Sequence, residues 1–299
     1  MKLEELQSII IKGSTLSSFV WRKASWLIKA SRPYGWAIVP LVFLLGFTAY
    51  HTELSLLSII QIVLLSFPYC LLLYGINDVY DYESDRINPR KQISNRVLCE
   101  SEYFPLVKKA SIIVAVLLIS SSIITLNILN IAAVLLLLFF SHQYSAPPLR
   151  LKERPPLDSF SNAIFYWYAP ILMGASYYAT IFEIYITVYF VMACLMGIHS
   201  FSTILDYSAD KMAGDRTFAV VFGKRAASLF AAIIFIISYF FSGYQKTVVG
   251  IYMLFCAALS LIITIYPSEK WAARFFYSIG AAFIIVGILE VQRYIILNG

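Results

Sequence analysis

The residues best suited to chemistry form two acidic clusters, each placed where a long apolar run ends. The first contains Asn77, Asp78, Asp81, Glu83 and Asp85. On a helix, the i, i+4, i+8 spacing of Asn77, Asp81 and Asp85 turns each side chain only about 40° from the last, so all three face one way. Like charges so placed repel one another, and a cation is expected among them. Hard oxygen ligands beside an open cavity suit Mg²⁺, which commonly bridges carboxylates to substrate phosphates.

A second cluster repeats the spacing. Asp206 and Asp210 are again four residues apart, and Gly214 and Asp215 follow them. Two such clusters, each followed by an arginine, would hold divalent ions between them with basic groups at the rim, which is the arrangement that a diphosphate needs. Either cluster alone could equally be a solvated loop beyond a helix end. The matched pair favours a diphosphate site.

Basic residues stand on a stiff loop between two further apolar runs. The loop contains two Pro-Pro pairs, which prevent a helix and favour extended backbone, and between them lie Arg150 and Lys152. Guanidinium and ammonium groups there could bind phosphate oxygens, as could Arg32 in the Ser-Arg-Pro sequence before the first run. The alternative is that these residues serve only to orient the chain in a membrane.

The elements that carry these clusters are membrane helices. Hydrophobic residues make up 60% of the 299 residues and charged residues only 13%, about half the charged fraction of a soluble domain. The formal charge of +6 is spread between apolar runs, which excludes a nucleic-acid surface with its basic tracts and stacking aromatics. The four cysteines are scattered, so neither a disulfide framework nor a zinc site is expected.

Nine apolar runs are long enough, or nearly so, to cross a bilayer. Residues 1–32 lack a signal peptide and read as a basic interfacial segment, and residues 33–299 as one transmembrane domain. The predicted spans are Tyr34–Tyr50, Leu54–Gly75, Ala110–Leu126, Ile128–His142, Ser159–Thr180, Ile184–Leu205, Ala226–Ser242, Thr247–Tyr266 and Trp271–Ile296.

The basic residues set the expected orientation. If the N-terminus is cytoplasmic, every Lys and Arg except Lys246 and Arg293 lies on the cytoplasmic side or at an adjoining helix end. Both acidic clusters then share that side, and the C-terminus lies outside. The clusters follow the second and sixth runs, which suggests a duplicated four-helix unit plus a ninth helix.

Three motifs together resemble the UbiA superfamily of intramembrane prenyltransferases. They are the run from Asn77 to Asp85, the run from Asp206 to Asp215, and the Tyr144-Ser-Ala-Pro-Pro loop. The resemblance covers essentially the whole chain. It implies an all-α fold of nine transmembrane helices around a central cavity, and the transfer of an isoprenyl group from its diphosphate to a lipophilic acceptor within the bilayer.

The resemblance also implies roles for individual residues. Two Mg²⁺ on the diphosphate would be held by Asn77, Asp81, Asp85, Asp206 and Asp210, with Asp78 and Asp215 as flanking acidic positions. Contacts to the diphosphate are expected from Arg32, Arg86, Tyr144, Arg150, Lys152 and Lys211. Many family members place a lysine four residues after the loop tyrosine, where this chain has Pro148, so the role of Lys152 is inferred by proximity.

Details of the motifs are similar to the lycopene elongase branch, which adds a C5 unit from dimethylallyl diphosphate to each end of lycopene on the way to C50 carotenoids. The loop Asn88-Pro-Arg-Lys-Gln92 replaces the Arg-Pro-x-x-x-Gly type found in many quinone-prenylating members, and His199-Ser-Phe-Ser precedes the second motif. Other acceptors within the superfamily are a quinone, haem or lipid precursor. A secondary transporter is a further alternative, but transport would give the paired aspartates no function.

The product cation must be shielded from water, and aromatic ring faces can stabilise it. Tyr74 and Asn162 are candidate cavity residues. His199, seven positions before Asp206 and so on roughly the same helix face, is a candidate base, with a hydrogen-bonded core histidine as the alternative.

Overall fold

The computed structural model describes residues 21–50, 53–86 and 100–298. Within these ranges every regular element is a helix, as the sequence predicts. The α-helices are α1 (Trp21–Ala30), α2 (Ile38–Thr48), α3 (Leu56–Leu65), α4 (Phe67–Tyr80), α5 (Tyr82–Arg86), α6 (Phe104–Ile124), α7 (Ile128–Ser145), α8 (Leu157–Ala163), α9 (Ala169–Ala175), α10 (Ile186–Ser202), α11 (Tyr207–Ala213), α12 (Phe218–Phe222), α13 (Lys224–Phe241), α14 (Val248–Ile265) and α15 (Glu269–Asn298).

The described residues contain six apolar helices long enough to cross a membrane, or eight if two bent pairs each count as one span. The bent pairs are α1 with the segment Pro33–Thr48, at 48°, and α10 with α11, at 71°. The predicted fifth span consists of α8 and α9 joined by a π-helix, Ile164–Tyr168, and is not among these candidates. The chain is therefore a multi-pass membrane protein, while the count of nine is not confirmed.

Side-chain caps fix several helix starts on the side of the short loops. Ser55 accepts a hydrogen bond from the Ser58 N–H at 3.1 Å, and Asn127 accepts one from the Leu129 N–H at 2.8 Å. Thr247 caps α14 in the same way. Each cap satisfies an amide that would otherwise lack a partner at a helix end. These short polar residues between apolar runs are why the helices begin where the sequence predicts.

The bundle has two apolar cores. One contains Phe43, Leu72, Leu118, Leu137 and Met173, which come from α2 to α9. A second cluster is built from α10 to α15 and includes Phe201, Phe235 and Met253. A smaller cluster around Trp167 and Leu195 joins them. Each half of the bundle therefore has its own apolar core. A cavity, described below, lies at the boundary between the two halves.

Within the first half, α2 and α9 approach closely. A Cβ atom added at Gly46 would overlap the Ile171 carbonyl, and one added at Gly174 would overlap the Phe43 carbonyl. Small residues at such positions let membrane helices pack backbone to backbone. This contact holds α2 against α9.

A buried polar network ties the same half together. The Gln61 amide donates to Asn130 Oδ1 at 2.9 Å, and Asn130 Nδ2 donates to Ser176 Oγ at 2.9 Å and to the Met173 carbonyl at 3.2 Å. Gln61, Asn130 and Ser176 are all essentially inaccessible. Polar side chains that satisfy one another across helices stabilise a membrane bundle.

Candidate active site

The first acidic motif lies at a break between two helices. α4 ends at Tyr80, and Asp81 adopts φ −105° and ψ 7°, outside the helical region. The expectation of one continuous helix through Asp85 is therefore wrong. The i+4 register survives the break, because the Asp81 N–H donates to the Asn77 carbonyl at 2.9 Å and the Asp85 N–H to the Asp81 carbonyl at 2.8 Å.

The second motif follows the same design. α10 ends at Ser202, and Asp206 precedes the separate short helix α11 with φ −110° and ψ 10°, nearly the angles of Asp81. The Asp210 N–H donates to the Asp206 carbonyl at 2.8 Å, the equivalent of the bond from Asp85 to Asp81. Both values fall in the sparsely occupied bridge region, where many active-site residues lie. The two motifs are thus matched in backbone conformation as well as in sequence.

The break also corrects the spacing argument for His199. Because α10 ends at Ser202 and the chain then bends by 71°, His199 and Asp206 do not share a helix face. The structure nevertheless places both residues in the wall of one cavity. The juxtaposition that the sequence predicts is right, but the fold produces it through a bend.

Hydrogen bonds hold the first motif against the last residue of α7. The Asn77 amide nitrogen donates to Asp81 Oδ2 at 2.5 Å and to Ser145 Oγ at 2.9 Å, which leaves its carboxamide oxygen for another partner. Thr217 in turn donates to Asp210 Oδ2 at 3.0 Å. Each motif therefore has one carboxylate oriented by a neighbouring side chain.

Predicted phosphate-binding cations lie directly on these carboxylates. Lys152 Nζ is 2.7 Å from Asp81 Oδ1, and Arg150 Nη2 is 3.8 Å from the same atom. Arg32 Nη2 is 2.7 Å from Asp78 Oδ1. Burial alone would lower the pKa of Lys152, but Asp81 and Asp215 together raise that pKa above its ordinary value. Lys152 therefore stays charged and lies within electrostatic range of both motifs.

Arg32 and Arg150 share an unusual backbone conformation. Their φ angles are 53° and 43°, in the left-handed region that residues with a Cβ rarely adopt. Such conformations cost roughly 1 kcal/mol or more each, and they cluster at functional sites where surrounding structure enforces them. Pro-Pro pairs flank Arg150, and their peptide bonds are cis rather than simply extended.

A cavity of about 240 Å³ lies between the two halves of the bundle. Its wall includes a residue from each motif, Asn77 and Asp206, together with Arg32, Tyr74, Tyr144, Asn162 and His199. It continues into a more apolar chamber of about 290 Å³, which reaches Leu195, Tyr252, Phe276, Ile279 and Phe283. The predicted cavity residues Tyr74, Asn162 and His199 all lie on both parts.

Four predicted diphosphate contacts do not line the cavity: Arg150 and Lys152, which lie on Asp81, and Arg86 and Lys211. Arg86 is largely exposed and pairs with Glu83 at 3.4 Å, and exposed Lys211 lies 5.7 Å from the Tyr207 ring. Asp85 is buried beyond the break and Asp215 is half-buried. Among the described residues, no group of three or more His, Cys, Asp or Glu side chains is assembled for a metal ion. The full ligand set therefore stays a prediction.

The family model for the UbiA prenyltransferase family matches residues 37–285. The chain belongs to this family. A lycopene elongase/hydratase of Corynebacterium glutamicum is 30% identical over 228 residues, which cover 72% of this chain and 76% of the relative. A lycopene elongase/hydratase of Haloarcula japonica is 30% identical over 242 residues, covering 77% and 78%. This UbiA chain is therefore a prenyltransferase of the kind that the sequence motifs indicate.

Solved structures agree on the fold. A UbiA homologue from Archaeoglobus fulgidus, bound to GPP and Mg²⁺, matches with a TM-score of 0.64 over 89% of this chain and 99% of that one, at 21% identity. At 21% identity this match supports the helical architecture and nothing more specific.

The donor set of this UbiA protein fits Mg²⁺. Carboxylate and carboxamide oxygens are the hard ligands that Mg²⁺ prefers, and Mg²⁺ usually takes only one or two carboxylates and fills its remaining positions with water and phosphate. The cavity wall carries the Asn77 carboxamide from the first motif, which is hydrogen-bonded to Asp81, and the Asp206 carboxylate from the second.

Several residues at the site were not singled out from sequence. Ser145, buried beside Tyr144, contacts Asn77 and Asp81. Asp158 is wholly inaccessible and accepts the Phe218 N–H at 3.1 Å. The one sequence feature that could have drawn attention to Asp158 is that it is a polar residue at the start of a membrane helix. The changed loop Asn88 to Gln92 lies outside the described residues.

Proposed function

We propose that this prenyltransferase moves a dimethylallyl group from its diphosphate to lycopene, in the synthesis of C50 carotenoids. The observation that supports this proposal is a single cavity with two different ends. One end is polar and charged, at Asn77, Asp206 and Arg32, and the other is an apolar chamber lined by Phe276 and Phe283. The relatives named lycopene elongase/hydratase support a linear polyene as acceptor.

The charged end would bind the donor. Asn77, Asp81, Asp85, Asp206 and Asp210 would hold Mg²⁺. When bound, Mg²⁺ would act as a Lewis acid on the charge of the departing diphosphate. Arg32, Arg150 and Lys152 already lie on acidic side chains of the first motif, so they are close enough to contact phosphate oxygens as well. Arg86 and Lys211 could do so only by leaving the contacts described above.

The remaining step is the capture of the allylic cation. The C–O bond to diphosphate breaks, and the terminal alkene of the acceptor attacks the allylic carbon, which leaves a tertiary cation on the acceptor. The ring of Tyr74 lies beneath the Arg32 guanidinium at 4.4 Å, so this wall of the cavity already binds a cation through an aromatic face. Tyr166 and Phe165 extend the same wall.

The apolar chamber would take the acceptor. Leu195, Ile198, Ile279 and Phe283 line it, and a Cβ atom added at Gly280 would have no neighbour within 4 Å. An acyclic hydrocarbon needs this kind of mainly apolar surface. A quinone, haem or lipid precursor would instead need partners for its polar head group.

For location, we propose the cell membrane, with the N-terminus and the active site on the cytoplasmic side and the C-terminus outside. The asymmetry of the basic residues supports this orientation. Residues 1–32 would form an interfacial segment and residues 33–299 the transmembrane enzyme domain, of which the family model covers 37–285.

The proposal is tested by expressing the chain in a lycopene-producing host and analysing pigments by mass spectrometry. We expect carotenoids heavier by one and two C5 units, their loss in Asp206→Ala, and loss of turnover by purified enzyme in chelator. Prenylation of an aromatic acid in the same membranes, without new pigment, would reassign the acceptor. Undiminished turnover in chelator would contradict the metal site.

A further inference from the structure

Three side chains that belong to neither acidic motif form a hydrogen-bonded chain that begins at the cavity. The Tyr144 hydroxyl lies 2.8 Å from His199 Nε2, and His199 Nδ1 lies 3.0 Å from Ser159 Oγ. These residues stand on α7, α10 and α8, so the chain crosses the boundary between the two halves. Tyr144 and His199 line the cavity, whereas Ser159 is wholly buried behind them.

The geometry differs from that of a histidine sealed in a core. Both ring nitrogens of His199 have oxygen partners, which fixes the orientation of the ring. The same ring lines both the charged cavity and the apolar chamber. It therefore lies at the junction where the donor's allyl group and the acceptor's alkene would meet.

The proposed reaction needs a proton acceptor at this junction. After the new C–C bond forms, the tertiary cation either loses a proton from a neighbouring carbon or adds water and then loses a proton. Each outcome releases exactly one proton. Among the described residues that line the apolar chamber, His199 is the strongest neutral base, because Arg32 is a cation and Asn162, Ser202 and the tyrosine hydroxyls are far weaker bases. The candidate proton acceptors are therefore His199 with Tyr144 and an oxygen of the departed diphosphate.

We propose that Tyr144 and His199 together take up the proton released when the product cation is quenched, with Ser159 as a positioning residue. The Tyr144 oxygen receives the proton while its own hydroxyl proton passes to His199 Nε2. The imidazolium so formed donates its Nδ1–H to Ser159 Oγ. No oxidant or further reactant is required. This inference rests on the proposed prenyl transfer and adds the group that completes it.

The experiment separates ionisation of the donor from quenching of the product. Dimethylallyl diphosphate carrying ¹⁸O in the bridging position reports reversible C–O cleavage through positional isotope exchange, while carotenoid mass reports completed turnover. In His199→Ala we expect exchange within about twofold of wild type, kcat lower by roughly a hundredfold, the usual range for loss of a general base, and little change in KM for the diphosphate. In Tyr144→Phe, which also removes a predicted diphosphate contact, we expect a comparable fall in kcat.

Matched controls use residues of the same type outside the chain of contacts. Ser161 lies on α8 beside Ser159 but donates to the Leu157 carbonyl at 2.6 Å, and His142 is exposed at the end of α7. Ser161→Ala and His142→Gln should leave both readouts unchanged. Ser159→Ala should lower kcat by less than tenfold without changing isotope exchange. Tyr144→Phe retains the ring that packs on Phe165, which guards against misfolding.

Each result has a distinct meaning. Unchanged kcat in His199→Ala would overturn the inference and leave diphosphate as the proton acceptor. Loss of isotope exchange in His199→Ala would also overturn it, because the residue would then position the donor. Absence of both exchange and product in the wild-type enzyme would instead refute the proposed function.

Discussion

Replacing Asp81 by Asn should destabilise the metal-free protein. Asp81 is 3% exposed, and its Oδ1 lies 2.7 Å from Nζ of Lys152, whose side chain is 11% exposed. The asparagine keeps the shape of the side chain but removes its charge. Lys152 would then keep its positive charge in a largely buried position without its closest anionic partner.

The size of the effect follows from this burial. Removing one partner of a fully buried ion pair costs about 3–5 kcal/mol, because the remaining charge is left uncompensated. Lys152 retains some solvent contact and the more distant charge of Asp215. We therefore expect the free energy of unfolding of Asp81→Asn to fall by about 2–3 kcal/mol, below the range for a fully buried pair.

A double-mutant cycle with Lys152→Met tests this reasoning. Reversible unfolding in detergent micelles without Mg²⁺ would be measured for both single variants and the double variant. We expect the double variant to be more stable than Asp81→Asn alone, with a coupling of at least about 1 kcal/mol. The exposed pair of Glu83 and Arg86 provides the control, and Glu83→Gln should change stability by less than about 1 kcal/mol.

Stability of Asp81→Asn equal to that of wild type, or a coupling near zero, would refute the pair as a stabilising contact. Lys152 would then have to be free to leave Asp81 without cost. Turnover measured in parallel separates the two consequences, since we expect Asp81→Asn to lose activity even under conditions where it remains folded.

Three further outcomes follow from other parts of the structure. Gly280→Phe should fill the apolar chamber and lower lycopene turnover with donor isotope exchange intact, whereas Gly280→Ala should be neutral, because a Cβ there meets nothing within 4 Å; equal loss in both variants would contradict the assigned chamber. The free energy of unfolding of Arg150→Gly should be about 1 kcal/mol larger than that of Arg150→Ala, because glycine adopts the φ of 43° without strain. A more stable alanine variant would argue against that conformation. Asn130→Ala should cost about 1–2 kcal/mol of unfolding free energy through its lost contacts to Gln61 and Ser176 while specific activity is retained; unaltered stability would show that the network is not formed in the membrane protein.

The helices themselves were predictable because their signals are local. Apolar runs with short polar caps mark where α7 and α14 begin, and the observed starts, Ile128 and Val248, lie within one residue of the prediction. The charges and motifs likewise predicted the family, which the family model confirms. What could not be predicted are contacts set by tertiary packing, such as Ser145 on Asn77 or Asp158 on the Phe218 amide.

The acidic motifs show why spacing can predict a site without predicting its geometry. Spacing of four residues indicated ligands on one face of a helix, yet the backbone is non-helical at the first aspartate of each pair, with φ −105° for Asp81 and −110° for Asp206. The hydrogen bond from the aspartate four residues later to that first aspartate measures 2.8 Å in both motifs, so the local i+4 relation survives. Of these aspartates, Asp206 lines the cavity, whereas Asp81 lies behind it and accepts a hydrogen bond from Asn77 in the cavity wall. Because the same conformation occurs once in each half of the bundle, each half contributes one oxygen-bearing motif residue, Asn77 or Asp206, to the wall of the cavity, which is what the proposed binding of one diphosphate by both motifs requires.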